Sequence, residues 1–277
     1  IILKTFLFEH HTYIEYAHDI YYCVNQTPDD ILPKLLTINN KRYTRFLDFI
    51  YMPCETYELS AEQCIAVNDI RNLYFQTHKN ISINHTVKQK FTTLINTLCT
   101  NRKMTLLEYG CGYQAIYELL NPNICYIGVD INEKVIASHN KPSLNSKFFL
   151  VDQNHIPISN HTINFIVSIF VFHFSVNIQQ LSKLFNLLIE DGVMIFNLYL
   201  LPKDQRQILF SNIRKIGFSY HRLPDSEQLC QDHEYCVLTK NSNSFLFKET
   251  IELLYTTNSI KSDQTSSRTQ APKTVII

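Results

Sequence analysis

The sequence predicts an α/β fold: a doubly wound, Rossmann-like sheet preceded by an N-terminal, mainly helical region. Three observations lead to this prediction. Apolar runs of strand length alternate with helix-like segments from residue 104 onward. A Glu-x-Gly-x-Gly turn follows the first run, and an acidic residue ends each of the first three runs. Residues 1–100 differ, because they contain no glycine, many tyrosines and several amphipathic stretches.

The N-terminal hundred residues are predicted to be mostly helical. The aromatic-rich segment 5–24 is interpreted as a helix, and Pro28 followed by two acids is typical of a second helix start. Ser60-Ala-Glu-Gln63 has the form of a capping box. Residues 43–51 fit a helix and a strand equally well. The predicted helices, in order, cover 5–24, 27–36, 64–75 and 87–99.

The turn at Gly110 and Gly112 organises the rest of the chain. The chain has only five glycines, and a single residue separates these two. Glycine marks places where a side chain is not tolerated, because φ is positive or because a ligand lies against the backbone. The apolar spacing from Ala115 onward predicts a helix start, whose bare N–H groups would favour a polar or anionic ligand.

Acidic residues end three successive predicted strands. Asp130 lies 18 positions after Gly112, close to the ~20-residue offset at which an acid binds a ribose. In a doubly wound sheet the ligand lies beyond the carboxyl ends of the strands, which is where Glu108, Asp130 and Asp152 fall. The other predicted elements are strands 124–129, 148–151, 163–170, 192–198 and 234–239, helices 133–139 and 178–188, and a helix or edge element over 245–255.

Six short motifs stand at the predicted strand ends and turns. They are Leu-Glu108-Tyr-Gly110-Cys-Gly112, Tyr-Ile-Gly128-Val-Asp130, Val151-Asp152-Gln153 followed by Ile156-Pro157, the run from Asn164 to His173-Phe, Leu188-Ile-Glu-Asp-Gly192-Val-Met-Ile, and Lys215-Ile-Gly217-Phe218. Together, over residues 102–240, they resemble the class I S-adenosylmethionine-dependent methyltransferase family, of the small-molecule type. In that family the glycines carry the methionine part of the cofactor, the second acid binds the ribose and the third binds the adenine amino group.

The resemblance implies the residues of the site. His173 lies just past the fourth strand, where the family places residues that face the transferred methyl group, so it is the candidate catalytic residue. A structural histidine is the alternative. S-adenosyl-L-methionine is the implied cofactor. The candidate cofactor-binding residues are Glu108, Tyr109, Gly110, Cys111, Gly112, Asp130, Ile131, Asp152, Gln153 and Ile169.

The resemblance also implies a domain organisation and an activity. Residues 1–100 would form a helical cap on the acceptor side, with a structural cover or a homodimer surface as the alternative. Residues 101–256 would form the methyltransferase domain. Residues 257–277, rich in Ser, Thr, Lys and Gln, would be a disordered tail. The implied activity is transfer of the methyl group of S-adenosylmethionine to a small-molecule acceptor.

Departures from the family pattern leave an alternative open. Gln114 stands where the first motif usually has a third glycine, and Asn164 stands where the fourth motif usually has an acid. The alternative is a catalytically inactive protein of the same fold that binds or activates a partner.

A dinucleotide is an alternative ligand, because the glycine turn also fits the pattern Gly-x-Gly-x-x-Ala of a dinucleotide site. Against this stand Glu108 and Asp152, and too little chain follows residue 240 for a dehydrogenase's substrate domain.

Composition narrows the partners and the compartment. Lys plus Arg and Asp plus Glu both number 25, so we expect no binding to nucleic acid or to an acidic membrane. The longest apolar run, 163–174, is too short for a membrane span. The eight cysteines form no Cys-x-x-Cys pair. Cys111 in the glycine turn and Cys125 within a predicted strand are not placed for crosslinks, which predicts a reducing, cytoplasmic setting. The sequence begins at Ile1 rather than Met, so a preceding segment is left open.

No metal site is predicted. Four residues of the predicted first helix could offer ligands: His10, His11, Glu15 and His18. A second Glu-x-x-His pair is absent, so these residues are interpreted as a solvated polar face. Cys230-x-x-His233-x-x-Cys236 has the spacing of a metal clip. In a strand, however, residue 233 points away from the other two, so the motif is assigned to the final strand.

Overall fold

The computed structural model describes most of the chain and divides it into two compact units, Ile1–Ile81 and Ser82–Ile277. The helix predicted over 87–99 was assigned to the N-terminal region, but it belongs to the second unit. The residues described are 4–25, 32–46, 49–54, 59–77, 82–100, 102–139, 145–152, 155–174, 176–199, 201, 203–227, 230 and 233–259.

The first unit contains a six-stranded antiparallel sheet, so the predicted helical cap is wrong. The segment 5–24 forms three strands instead of one helix, and the helix predicted to reach residue 36 meets a strand that begins at Leu35. The start of that helix, at 27–31, lies outside the described residues. The strands are β1 (Thr5–Phe8), β2 (His11–Ala17), β3 (Ile20–Cys23), β4 (Leu35–Ile38), β5 (Lys41–Phe46) and β6 (Ile50–Pro53), in the sheet order β1-β2-β3-β6-β5-β4.

Hairpin turns without glycine explain this error. His18 and Asp19 between β2 and β3, and Asn39 and Asn40 between β4 and β5, all have positive φ. Two successive left-handed residues are what a tight two-residue hairpin turn needs, and Asn, Asp and His tolerate that conformation better than other side chains. Tight turns therefore occur in a region that has no glycine. The aromatic residues between these turns alternate along strands and do not form a helix.

The helix of the first unit was predicted correctly. α1 (Ala61–Thr77) begins directly after Ser60, and the capping box is closed in both directions. The Ser60 N–H donates to Gln63 Oε1 at 3.0 Å, and the Gln63 N–H donates to Ser60 Oγ at 3.2 Å. The Tyr16 hydroxyl of β2 donates to Asp69 Oδ2 of α1 at 3.2 Å, which ties the helix to the sheet.

The residues interpreted as a solvated helix face lie in the β1–β2 hairpin, in β2 and, for His18, in the turn between β2 and β3. His11 is buried, so the prediction of a wholly solvated face is wrong for that residue. The turn brings possible ligand atoms of Glu9, His10 and His11 within 4.8 Å of one another, with Glu9 and His10 exposed. Glu15 forms an ion pair with Lys4 at 3.0 Å. Opposite charge therefore accounts for Glu15 without a metal.

The second unit contains a seven-stranded sheet that confirms the predicted α/β fold. Five neighbouring strands are parallel, and the last two strands of the chain join one edge in antiparallel orientation. The strands are β7 (Met104–Tyr109), β8 (Ile124–Asp130), β9 (Ser146–Leu150), β10 (Ile163–Ser168), β11 (Leu188–Tyr199), β12 (Ser219–Pro224) and β13 (His233–Thr239), in the order β12-β13-β11-β10-β7-β8-β9.

Four helices of this unit match the predicted positions, the helix Lys203–Ile216 was not predicted, and two corrections are needed. After the glycine turn the chain forms only a 3-10 helix, Ile116–Leu119, instead of a longer α-helix. The last helix runs to Ser259, so residues 257–259 are helical and not part of a disordered tail; 260–277 lie outside the described residues. The helices are α2 (Ser82–Leu98), α3 (Glu133–Ser138), α4 (Ile178–Leu187), α5 (Lys203–Ile216) and α6 (Phe245–Ser259).

Helices cover both faces of this sheet, as a doubly wound fold requires. Tyr235 and Cys236 are neighbours in β13 and therefore point to opposite faces. The Tyr235 ring packs edge-on against Phe91 of α2, with centroids 5.7 Å apart. Cys236 lies in the core that also contains Leu184 of α4 and Ile213 of α5. Among the described residues, no helix is long and apolar enough to cross a membrane.

A buried ion pair fastens α2 to the antiparallel edge of the sheet. Lys90 Nζ lies 2.6 and 2.8 Å from the two carboxylate oxygens of Asp225, and both side chains are buried. The same carboxylate accepts hydrogen bonds from the Tyr235 hydroxyl and the Glu227 N–H. A buried charge is tolerated when it is paired and hydrogen-bonded in this way. The pair therefore fixes where α2 lies on the sheet.

Candidate functional site

The two glycines of the turn after β7 are both left-handed. Gly110 has φ +75 and Gly112 has φ +59, a region that other residues rarely enter. A Cβ on Gly110 would come within 2.4 Å of Val171 Cγ2, so the chain leaving β10 passes directly against the turn. The N–H groups of Gly110 and Cys111 both donate to the Val129 carbonyl, at 2.9 and 3.0 Å. Glycine is thus required here for conformation and for close approach.

Asp130 holds the other end of this turn. Its carboxylate is buried, and Oδ2 accepts the Gly112 N–H at 2.9 Å while Oδ1 accepts the Asn132 N–H at the same distance. Burial raises the pKa of the carboxyl, and the backbone hydrogen bonds act in the opposite direction. Since a carboxylate has about four acceptor sites, these two bonds leave capacity for ligand hydroxyls. Ile131, the next residue, is half-buried at the strand end.

His139 holds the same glycine from the other side, and sequence analysis missed it. Its Nε2 lies 2.8 Å from the Gly112 carbonyl oxygen, and its ring stacks on Phe148, with centroids 4.5 Å apart at 12°. The N–H and the carbonyl of Gly112 are therefore each bonded to a buried side chain. A histidine at the end of α3 has no sequence signal of its own, because the contact depends on how α3 lies on the sheet.

Glu108 is directed into the protein. Its carboxylate is only 1% exposed, and Oε2 accepts hydrogen bonds from the Ile116 N–H at 2.9 Å and from the Tyr126 hydroxyl. Burial raises the pKa of this carboxyl to about 7, and the nearby Lys88 ammonium is the largest opposing influence. Glu108 thus anchors the start of the 3-10 helix. Its direct contact with a cofactor stays a prediction.

Gln114, which replaces the usual third glycine, is held by α2. Its main-chain carbonyl accepts a hydrogen bond from Lys88, and its side-chain Oε1 accepts one from Asn84 Nδ2 at 3.4 Å. The Gln114 side chain is exposed, and its φ is not positive. Because the residue neither faces the sheet nor needs glycine's conformation, the turn accommodates it without a clash.

The remaining candidate cofactor residues line the same edge of the sheet. Tyr109 and Cys111 are buried in the turn, and burial raises the pKa of the Cys111 thiol well above its usual value. Asp152 follows β9 and is exposed, with Oδ1 accepting the His155 N–H at 2.6 Å. Ile169 is buried just past β10. Gln153 lies outside the described residues.

Past β10 and β11, the same edge carries hydroxyl, imidazole and amide side chains among aromatic rings. Ser168 Oγ donates to the Tyr109 carbonyl at 2.8 Å, which joins the ends of β10 and β7. His173 is buried, and its ring lies 5.7 Å from that of Phe170 and 6.3 Å from that of Tyr199. The Phe170 N–H donates to Asn197 Oδ1 at 2.8 Å. The candidate catalytic residue thus stands among aromatic rings.

The order of the strands brings the predicted acids to one edge. β10, β7, β8 and β9 are adjacent and parallel, so their carboxyl ends meet there. Residues 83–240, more than half of the chain, match the family model of a methyltransferase domain. The chain belongs to this methyltransferase family. It is an S-adenosylmethionine-dependent methyltransferase, as the first, second and third motifs imply. A search of curated proteins found no match.

Solved methyltransferase structures are similar at low identity. A TehB-like S-adenosylmethionine-dependent methyltransferase from Corynebacterium glutamicum is 16% identical over 65% of this chain and 98% of its own, with a TM-score of 0.48. A methyltransferase from Aquifex aeolicus is 14% identical over 53% and 86%, with a TM-score of 0.43. The CurJ carbon methyltransferase is 18% identical over 66% and 59%, with a TM-score of 0.48. The family assignment rests on the domain model and not on these scores.

The residues of the methyltransferase edge fit the cofactor. Asp130 is a buried carboxylate whose two bonded N–H groups leave acceptor capacity, which suits a vicinal diol. Asp152 is an exposed carboxylate at the end of the next strand, which suits an amino group. The left-handed turn at Gly110 and Gly112 presents a backbone without side chains. These groups would hold the ribose, the adenine and the methionine part respectively.

Proposed function

We propose that this methyltransferase acts on a small-molecule acceptor placed at the ends of β10 and β11. The observation that carries the proposal is the setting of His173 among Phe170, Phe174 and Tyr199, with ring centroids 5.7 to 6.3 Å away. Aromatic side chains around a few polar groups are typical of a small-ligand site. The formal net charge of zero offers no general attraction to a polyanion.

The cofactor supplies a methyl group already activated by its sulfonium, so the protein mainly has to align an acceptor in line with the carbon–sulfur bond. The bond from the acceptor atom to the methyl carbon forms as the carbon–sulfur bond breaks. The bonding electron pair goes to sulfur, and S-adenosylhomocysteine is released. His173 is the proposed base, which takes the acceptor proton when the acceptor is protonated at neutral pH.

The test is a methyl-transfer screen with radiolabelled S-adenosylmethionine. Phenols, amines, thiols and carboxylic acids are compared with transfer RNA and unfolded protein as acceptors. We expect a small molecule to be methylated, and His173→Gln to lower kcat by roughly 10²–10⁴-fold, the usual contribution of a general base. The affinity for S-adenosylhomocysteine should change less than threefold. Asp152→Asn is the matched variant, because it should weaken cofactor binding without removing the base.

Three outcomes would contradict the proposal. Methylation of transfer RNA or unfolded protein, with no small molecule methylated, would exclude a small-molecule acceptor. Full activity of His173→Gln would exclude His173 as the base. Binding of S-adenosylhomocysteine without transfer to any acceptor would instead support a non-catalytic, partner-binding role.

We further propose a reducing, cytoplasmic compartment. The eight cysteines are free thiols in the structure, and Cys111 and Cys236 are buried within the sheet unit, which supports a setting without disulfide formation. The homodimer and the acceptor-side role of the N-terminal unit stay predictions. Sedimentation would measure the first.

A further inference from the structure

Asn197 is a fully buried amide near the carboxyl end of β11, an interior strand of the seven-stranded sheet. It follows Phe196, the residue that pairs with Ser168 at the last rung between β10 and β11. β11 continues beyond this rung, whereas the neighbouring chain turns away at Phe170. A buried amide in such a position is costly unless both of its ends are hydrogen-bonded. Its partners therefore define what it does.

The hydrogen-bond partners also determine the orientation of the Asn197 amide, that is, which partner its oxygen faces and which its nitrogen faces. The Phe170 backbone N–H can only donate, so the atom that faces it at 2.8 Å is the amide oxygen Oδ1. The amide nitrogen Nδ2 then faces His233 Nδ1 at 3.3 Å. An amide nitrogen also can only donate, so His233 Nδ1 must offer a lone pair. The neutral ring of His233 consequently carries its proton on Nε2.

Asn197 and His233 contact Phe170, whose backbone is strained. Phe170 has φ +58, the left-handed conformation that residues with bulky side chains rarely adopt. Its N–H is held by Asn197, and its ring packs edge-on against His233, with centroids 5.5 Å apart. Residues keep a strained conformation only where several contacts with the surrounding structure hold them in it. Phe170 stands between Ile169 and His173, in the turn that passes the glycines.

We infer that Asn197 and His233 are positioning residues for methyl transfer. His233, as the Nε2–H tautomer, orients the amide of Asn197. Asn197 in turn holds the Phe170 backbone and so sets the turn that presents His173 to the acceptor. This inference rests on the proposed function in one respect only, the role of His173.

The first test is spectroscopic and needs no acceptor. Long-range nitrogen–proton NMR of the histidine-labelled protein, with the His233 signal assigned by its absence in His233→Asn, should show a proton on Nε2 and none on Nδ1. In Asn197→Asp the carboxylate can still accept the Phe170 N–H but now also accepts from His233, so Nδ1 should become protonated. A proton on Nδ1 in the wild type overturns the inference, as does an unchanged spectrum in Asn197→Asp.

The second test uses matched variants of His233. An asparagine at 233 can place its oxygen where Nδ1 was, whereas phenylalanine keeps a ring but offers no acceptor. We expect His233→Asn to retain slow hydrogen exchange of the Phe170 amide and most of the transfer rate. His233→Phe and Asn197→Leu should exchange that amide at least tenfold faster and lose at least tenfold in kcat. S-adenosylhomocysteine should bind all of them within threefold of wild type.

Full transfer rates in His233→Phe and Asn197→Leu would overturn the positioning role. Equal losses in His233→Asn and His233→Phe would also overturn it, because they would show a need for the histidine ring itself. If either Asn197→Leu or His233→Phe does not fold, the other variant and the NMR measurement of the tautomer still test the inference. A wild-type protein that has the predicted tautomer but methylates nothing would contradict the proposed function and leave the tautomer intact.

Discussion

The two halves of the methyltransferase edge are built from different chemistry. In the cofactor half, at the ends of β7 and β8, the carboxylates of Glu108 and Asp130 are buried and bonded to backbone N–H groups. In the acceptor half, at the ends of β10 and β11, the strand ends carry Ser168, Asn197 and histidines among aromatic rings. The buried carboxylate on this side, Asp225, is paired with the Lys90 ammonium.

The difference shows how each half is kept rigid. Buried carboxylates are tolerable because backbone donors satisfy them, and each in turn fixes a peptide of the glycine turn. The acceptor half depends instead on the geometry of the Asn197 amide and on the strained Phe170. Electrostatic changes should therefore act mainly on cofactor affinity, and changes of shape mainly on transfer. The following predictions test this division.

The largest effect should come from the buried ion pair of Lys90 with Asp225, whose carboxylate also accepts the Tyr235 hydroxyl. Lys90→Met leaves a buried carboxylate without its cation, which typically costs ~3–5 kcal/mol of unfolding free energy. The double variant Lys90→Met/Asp225→Asn should recover part of this loss. Urea unfolding measures both. The control is the half-exposed pair Arg102 and Glu249, where Arg102→Met should cost less than ~1 kcal/mol. Equal costs at both pairs would contradict the prediction.

The next effect concerns cofactor binding at Asp130. Asp130→Ala removes a charge-assisted contact to the ribose and the anchor of Gly112, and should weaken S-adenosylhomocysteine binding by ~1.5–3 kcal/mol in calorimetry. Asp152→Ala is the matched control, since that carboxylate is exposed and should contribute less than ~1 kcal/mol. A thermal melt must show that both variants are folded. Unchanged affinity in Asp130→Ala would place the ribose elsewhere.

Burial of Glu108 predicts a pH dependence. Its pKa is raised from 4.5 to about 7 in the folded protein, so between these values the folded state binds more protons than the unfolded state. Stability should therefore fall as pH rises through this window, by an amount on the order of 1–3 kcal/mol. Glu108→Gln should remove that part of the fall in urea titrations, whereas Glu252→Gln, an exposed helix residue, should not. A wild-type curve that rises relative to Glu108→Gln would contradict the sign.

The sequence was sufficient to place the glycine turn and the acids at the strand ends, because these signals are local. Glycines two apart, an acid at each strand end and alternating strands and helices are written in consecutive residues, and Asp130 and Asp152 lie where they were predicted. The N-terminal unit was misread because its left-handed turns use His18, Asp19 and Asn39–Asn40 in place of glycine. Its aromatic residues then resembled a helix face.

The acceptor half was only partly predictable, because its contacts join residues far apart in the chain. Asn197 bonds Phe170 and His233 across 27 and 36 positions. The motif around His233 was assigned to the final strand, which contains His233 and Cys236 but not Cys230, and nothing in its spacing indicated an amide partner on β11. Strand order and register bring these residues together, and neither is contained in a local pattern.

The smallest effect should come from Gln114, the clearest departure from the family motif. Its side chain is exposed, its φ is not positive, and its bonds to α2 are one long side-chain contact and one main-chain contact. Gln114→Gly keeps the carbonyl that Lys88 binds, so S-adenosylhomocysteine affinity should change by less than ~1 kcal/mol, about fivefold. Gln114→Ala separates loss of the side chain from the added backbone freedom of glycine. If the wild type bound no cofactor and Gln114→Gly alone restored binding, the exposed glutamine would be blocking the turn, and the division between a charged, preformed cofactor half and a shape-dependent acceptor half would have to be abandoned.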